Sequence, residues 1–282
     1  MEERILSEQD LAKFKEALIE KEAAGETVQK YTRCARALVM YLAGRPLTKE
    51  RAVEWKESLQ VKGLSPATVN GYIAAANAFF TSLGMEDQIR IKSLKIQRRT
   101  FTDQKKELTR AEYERLILAA KKEGKTRLSL LFETICATGI RVGEVKYITL
   151  EAAQAGRADI SLKGKIRTIL IPRALCRKLK HYARQSGIGG GEIFLSGSGR
   201  PLSRKQIWAQ MKSVCAAAHV APGKVFPHNL RHLFARTFYR ATKDVVKLAD
   251  ILGHSSISTT RIYLISTETE HRRSLEGLGL IC

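Results

Sequence analysis

Between Pro227 and Tyr263 the chain reads PHNLRHLFARTFYRATKDVVKLADILGHSSISTTRIY, and His228, Arg231, His232, His254 and Tyr263 stand there among residues that would otherwise form plain core. A helix would place His228 and Arg231 on one face, with His232 a step further along it. Leu230, Leu233, Phe234 and Phe238 supply the buried side. Arg141 and Glu144 occur earlier, just after the break Thr138-Gly139. Two arginines with histidine donors suit a phosphodiester, whose negative charge spreads over non-bridging oxygens at the pentavalent stage. A tyrosine hydroxyl can then attack phosphorus, although a free pKa of about 10 makes it weak until cationic neighbours help remove its proton. The leaving sugar oxygen needs a proton, which a lysine on a hairpin can give.

Other chemistries use fewer of these residues. His228 and His232 have the spacing of a zinc-hydrolase pair, but Asn229 stands where that motif has its glutamate and no third ligand is near in sequence, so no metal is expected. No GxSxG elbow is present for a serine hydrolase. The Gly-rich run SGIGGGEIFLSGSGRPLS lacks the GK[ST] of a phosphate loop, and no cofactor is expected.

The elements that must position these groups are mostly helical. Ser7 precedes LAKFKEALIEKEAAG, which closes at Gly25, and Thr27 opens a run ending at Gly44. Thr48 caps KERAVEWKESLQ, and Ser65-Pro66 opens a fourth helix, so residues 1–97 read as a small helical bundle. MEDQIRIKSLKIQRRTFTDQKK, residues 85–106, has little helical period and reads as a solvated linker, with 98–106 as its core. Thr109 and Glu112 form a capping box that starts a second domain, 107–282. ADISLK and IRTILIP alternate around Gly164-Lys165 as a hairpin, residues 174–185 are helical, and one more short strand falls in the Gly-rich run. SRKQIWAQMKSVCAAAH forms a helix, and Gly253 closes another just before His254. The fold class expected is mainly α with a small β-sheet.

Charge points to the partner. The 282 residues carry 49 basic and 28 acidic side chains; residues 1–97 hold 15 and 13 of them, which leaves a net +19 on the remainder. Dense negative charge is the matching surface, with nucleic acid first and an anionic membrane second. No apolar run approaches the roughly 20 residues of a spanning helix. The polar, acidic start MEERILSEQD is not a signal peptide. Five scattered cysteines without a CxxC pair suit reduced thiols in the cytoplasm.

ATGIRVGE around Arg141, HNLRH around Arg231, LGHSSISTTRIY ending at Tyr263 and the lysine-bearing hairpin between them resemble the tyrosine site-specific recombinases, the phage-integrase and Xer-like family. The resemblance implies an N-terminal DNA-clamping domain on core inverted repeats and a C-terminal catalytic domain. It implies that Arg141 and Arg231 bind the scissile phosphate with His228 and His254, that Glu144 orients the site, and that Tyr263 is the nucleophile. Lys163, before Gly164, matches the family's hairpin general acid, with Lys165 the alternative. His232 is expected to pack behind the site, and Tyr239, beside Phe238, to be core. The family's reaction passes through a 3′-phosphotyrosyl link without metal or ATP, in a tetramer on two duplexes. Leu275, Leu278, Leu280 and Ile281 are candidates for the contacts between protomers. Accessory DNA-bending proteins and a cytoplasmic, nucleoid-associated enzyme complete the expectation, against the alternative of a catalytically silent DNA-binding protein with the same fold.

Overall fold

The computed structural model describes residues 4–96, 104–162, 165–263, 272 and 276–278. It divides into two compact units, Met1–Arg98 and Arg99–Cys282.

In the first unit α1 (Glu8–Glu20), α2 (Gly25–Leu42), α3 (Lys49–Val61) and α4 (Pro66–Ser82) surround one apolar core. Ser7, Thr48 and Ser65 each accept a backbone N–H of the first turn that would otherwise be orphaned. Gly25 differs from the expectation: it begins α2 rather than closing α1, and the left-handed turn that ends α2 starts at Ala43 and continues through Gly44. Residues 85–96 also differ. They are docked on the bundle, with Met85, Ile89 and Ile91 buried. Asn77 exchanges two hydrogen bonds with the backbone of Ile91, at 2.9 and 3.0 Å. Asn70 does the same with Leu94, at 3.0 and 2.7 Å. Seven residues apart on α4, the two amides stand on one face and act as side-chain substitutes for a paired strand.

In the second unit Thr109 and Glu112 form the expected capping box at the start of α5 (Arg110–Lys122). There follow α6 (Thr126–Thr138), a 3-10 turn over Val142–Tyr147, α7 (Leu150–Ala155) and the antiparallel strands β1 (Arg157–Leu162) and β2 (Lys165–Leu170). Then come α8 (Arg173–Gln185), α9 (Arg204–Lys212), α10 (Pro227–Thr242), α11 (Val245–Leu252) and α12 (Ile257–Arg261). The fold is mainly helical with one small sheet, as the sequence patterning predicts. The Gly-rich run contributes only isolated bridges, Thr149 to Glu192 and Leu195 to Pro201, not a further strand. Ile193 and Phe194 are buried core residues held by loop backbone.

The apolar core of this unit runs from Leu108 to Leu233 and includes Leu131, Phe132, Ile160, Phe194 and Met211. A smaller cluster gathers Ala235, Leu248, Leu252 and Tyr263. Lys163, Leu275, Leu280 and Ile281 lie outside the described residues, as does the side chain of Lys165; Leu278 is exposed.

Candidate active site

Four chain segments meet around Arg231. Pro227 at the first position of α10 starts that helix without a side-chain cap. Asn229, buried, donates to the carbonyls of Lys106 at 2.9 Å and Lys224 at 2.7 Å, so it ties down the start of α10. His228, Arg231 and His232 then follow along one helix face. The α6 terminus brings Gly139, left-handed at φ 64°, against α10; a Cβ there would lie 2.4 Å from the Phe234 ring.

Arg231 is 1 % exposed and nearly saturated with acceptors. Its Nη1 donates to the Gly139 carbonyl, and its Nη2 donates to the Leu252 carbonyl at 2.8 Å. Nη2 also meets His254 Nε2 at 3.0 Å, and Nε donates to the Tyr263 hydroxyl at 3.3 Å. Burial, opposed by the Tyr263 contact, draws Arg231 below its usual range. Arginine only donates, so Nε2 of His254 is the acceptor in that pair. The ring proton therefore sits on Nδ1, which lies 2.8 Å from Thr260 Oγ1. Burial first, then the Arg231, Arg141 and Arg167 charges, hold His254 down to about 4, in keeping with a neutral ring.

Tyr263 is 3 % exposed. Its ring stacks on His254 at 5.6 Å and 9°, with His232 at 4.4 Å and His228 at 5.6 Å. His228 is exposed and forms an edge contact with His232 at 4.9 Å. Partial desolvation by the packed rings, reinforced by neighbouring charges, lowers both histidines, His232 to about 4. Tyr239 packs against the cluster of Ala235, Leu248 and Leu252, with Lys243 over its ring at 5.8 Å.

Arg141 stands at the rim, its side chain 47 % exposed, and Glu144 beneath it is 3 % exposed. The Glu144 carboxylate accepts the Arg141 backbone N–H at 2.8 Å and the guanidinium Nη1 at 2.9 Å. That carboxylate also faces Arg167 of β2, Nη2 to Oε2 at 3.4 Å. The cluster thus holds three guanidinium groups and one carboxylate, an excess of positive charge in a partly buried place that a bound anion would stabilise. Among the described residues no three His, Cys, Asp or Glu side chains come together to hold a metal.

The structure therefore brings Arg141, Glu144, His228, Arg231, His232, His254 and Tyr263 into one cluster. Sequence reasoning passed over Arg167, Thr260 and the carbonyls of Gly139 and Leu252. A signal for Arg167 was present: it falls in step with Ile169 and Ile171, which are inward positions of an alternating strand.

Comparison with known proteins follows the same lines. Residues 106–270 match the model of the phage integrase family. The chain is 28 % identical over 290 residues to the tyrosine recombinase XerA of Pyrococcus furiosus, covering 100 % of this chain and 98 % of that one. Among solved structures, the Tn1549 transposon integrase in complex with transposon right end DNA superposes with a TM-score of 0.73 at 17 % identity, over 96 % of this chain and 99 % of that one. A lambda integrase tetramer bound to a Holliday junction gives 0.72 at 20 % identity, over 91 % and 76 %.

Proposed function

The chain belongs to the phage integrase family and is a DNA strand-transferring, site-specific recombinase, and from that premise we propose that Tyr263 is its nucleophile and that Arg141, Arg231, His228 and His254 receive the scissile phosphate. The observation that carries this is the Tyr263 hydroxyl 3.3 Å from Nε of a buried, centrally placed Arg231. An arriving phosphate competes for the same N–H, frees the hydroxyl and places phosphorus within its reach. Its charge also favours protonation of His254, which turns Nε2 from an acceptor into a donor toward a phosphate oxygen.

The Tyr263 hydroxyl loses its proton to solvent, its oxygen bonds to phosphorus and the bond to the 5′ oxygen breaks. The product is a 3′-phosphotyrosyl link and a 5′-hydroxyl. The leaving oxygen takes its proton from the hairpin lysine, Lys163 or alternatively Lys165. In the second step a 5′-hydroxyl of the partner duplex attacks the link and releases Tyr263. The ester is exchanged rather than hydrolysed, so the scheme requires neither ATP nor metal. Glu144, bonded to Arg141 through both backbone and guanidinium, fixes the rim arginine.

On the same reading, residues 1–97 clamp core inverted repeats, 98–106 join the units, and 107–282 carry the chemistry, with four protomers exchanging strands between two duplexes. The likeness in fold to a lambda integrase tetramer bound to a Holliday junction supports that assembly. Accessory DNA-bending proteins and a cytoplasmic, nucleoid-associated setting belong to the proposal; among the described residues no helix is long and apolar enough to cross a membrane.

The test is a nicked suicide substrate carrying the cognate site. Wild type forms a covalent protein–DNA adduct. Tyr263→Phe binds the same DNA and forms none. Adduct persisting in the variant rejects Tyr263, and a wild type that binds its site without cleaving it leaves a DNA-binding protein only.

A further inference from the structure

We propose that Arg167 is a positioning residue of the strand-transfer site: by bridging Glu144 to the carbonyl that ends α11, it holds Arg231 and His254 where they receive the phosphate. This rests on the recombinase reading above and assigns a residue outside that reading's catalytic set.

Arg167 pairs with Ile160 across the hairpin, next to the buried pair Ala158 and Ile169. An aliphatic residue would suit that face. The arginine is instead drawn inward, its side chain 12 % exposed. Nη1 donates to the Leu252 carbonyl, the same oxygen that Arg231 Nη2 takes at 2.8 Å. Two guanidinium groups thus share one carbonyl at the negative end of α11. His254 begins two residues later. The backbone leaves a passage for this side chain: a Cβ on Gly253 would lie 2.3 Å from Arg167 Cδ, and Gly253 is left-handed at φ 64°.

The arrangement is a poor device for stability alone. Nε of Arg167 is buried and makes no hydrogen bond among the described residues, and the buried Nη2 has only its 3.4 Å ion pair with Glu144. Donors so poorly satisfied typically destabilise, and an apolar residue would serve packing better. Burial, opposed by the Glu144 charge and reinforced by Arg231 and Arg141, pulls Arg167 down to about 10. What the arginine supplies is a joint: β2, the turn carrying Arg141 and Glu144, and the end of α11 are held to one another through its fork.

The experiment measures DNA affinity and single-turnover adduct formation for the full chain and for Arg167→Met and Arg167→Lys. Two nicked substrates are used, one normal and one with sulfur in place of the bridging 5′ oxygen, whose departure needs no proton. We expect Arg167→Met to bind DNA within about 3-fold of wild type and to form adduct roughly 100-fold more slowly, the scale of an ångström-sized misplacement. The defect should persist on the sulfur substrate. Arg167→Lys, which keeps the charge without the planar fork, should recover about a tenth of the wild-type rate; it also carries the test if Arg167→Met does not fold. Restoration by sulfur would place the role of Arg167 at the leaving group and overturn the proposal. So would a wild-type rate in Arg167→Met, or parallel losses of binding and cleavage with lysine no better than methionine. Absence of adduct in wild type would instead sink the recombinase mechanism itself.

Discussion

Trp55 and Arg231 are equally hidden, each 1 % exposed within its own unit, yet they are held there by opposite means. Trp55 sits among Leu38, Leu59, Ile73 and other apolar side chains of the first unit. Area removed from water suffices for it. Arg231 keeps its charge in a small pocket only because the carbonyls of Gly139 and Leu252, the His254 ring and the Tyr263 hydroxyl accept its N–H groups. Nearly balanced in charge, the first unit is a packing solution, whereas the second concentrates an excess of cations around the site proposed to receive a phosphate. The lesson is that burial alone does not separate core from site; the number and kind of acceptors around a buried group does.

The sharpest way to break that contrast is to keep the charge at 231 and remove its geometry. Arg231→Lys offers three donors at one point where four separate acceptors are spread around a plane. Single-turnover adduct formation should fall by about 10²–10³-fold, the usual effect of losing an electrostatic donor to a developing anion. Thermal stability should drop by only about 1–3 kcal/mol, chiefly from the Gly139 carbonyl left unpaired, since Leu252 keeps the Arg167 donor. Unchanged cleavage would make Arg231 an ordinary structural cation.

Trp55→Ala is the counterpart. Truncating a fully buried tryptophan should destabilise the first unit by about 3–5 kcal/mol, read by hydrogen exchange of the α1–α4 amides. Adduct formation at saturating DNA should change far less than in Arg231→Lys. An equal loss of chemistry in both variants would erase the distinction between the two buried side chains.

Asn77→Ala tests a polar contact inside the apolar unit. It deletes both hydrogen bonds to Ile91 and leaves that residue's backbone groups unpaired beside buried Ile89 and Ile91. A loss of roughly 1–3 kcal/mol is expected, with faster exchange of the Ile91 amide. Loss of neither would show that residues 85–96 dock by apolar burial alone.

These regions were unequally legible in the sequence. Ser7, Thr48, Ser65 and Thr109 announce helix starts because a cap is satisfied within three residues of itself. The mixture of His228, Arg231, His254 and Tyr263 with apolar neighbours pointed to chemistry because such side chains are costly to bury without purpose. What stayed hidden was long-range. Residues 85–96 read as linker because their hydrogen bonds go to Asn70 and Asn77, far back on α4, rather than to a neighbouring strand. Arg167 was absorbed into a plausible strand, because nothing local reveals that the end of α11 lies above it. Gly25 starts rather than stops a helix because the turn after Glu20 closes earlier, through Ala23 N–H to the Leu18 carbonyl at 3.0 Å.

Acid titration gives the smallest effect and divides the units most directly. His232 and His254 are each held at about 4, below the roughly 6.5 of an unfolded histidine. Between those values the unfolded chain binds protons that the folded site refuses, so stability falls as pH falls. The contribution is complete above about pH 6.5 and is lost as pH drops toward about 4. Because the rings are only partly buried, the loss is on the order of 1–2 kcal/mol after screening, or several degrees of Tm. Melting the free protein across this window, with NMR of the histidine rings, should locate the change at residues 232 and 254, whereas His254→Asn should flatten part of the slope. A cognate DNA phosphate supplies the missing negative charge, so the His254 ring should titrate nearer 6.5 in the complex. A slope that neither His254→Asn nor DNA alters would mean that the acid sensitivity arises elsewhere, and that the imidazole is not coupled to the anion the cluster is proposed to receive.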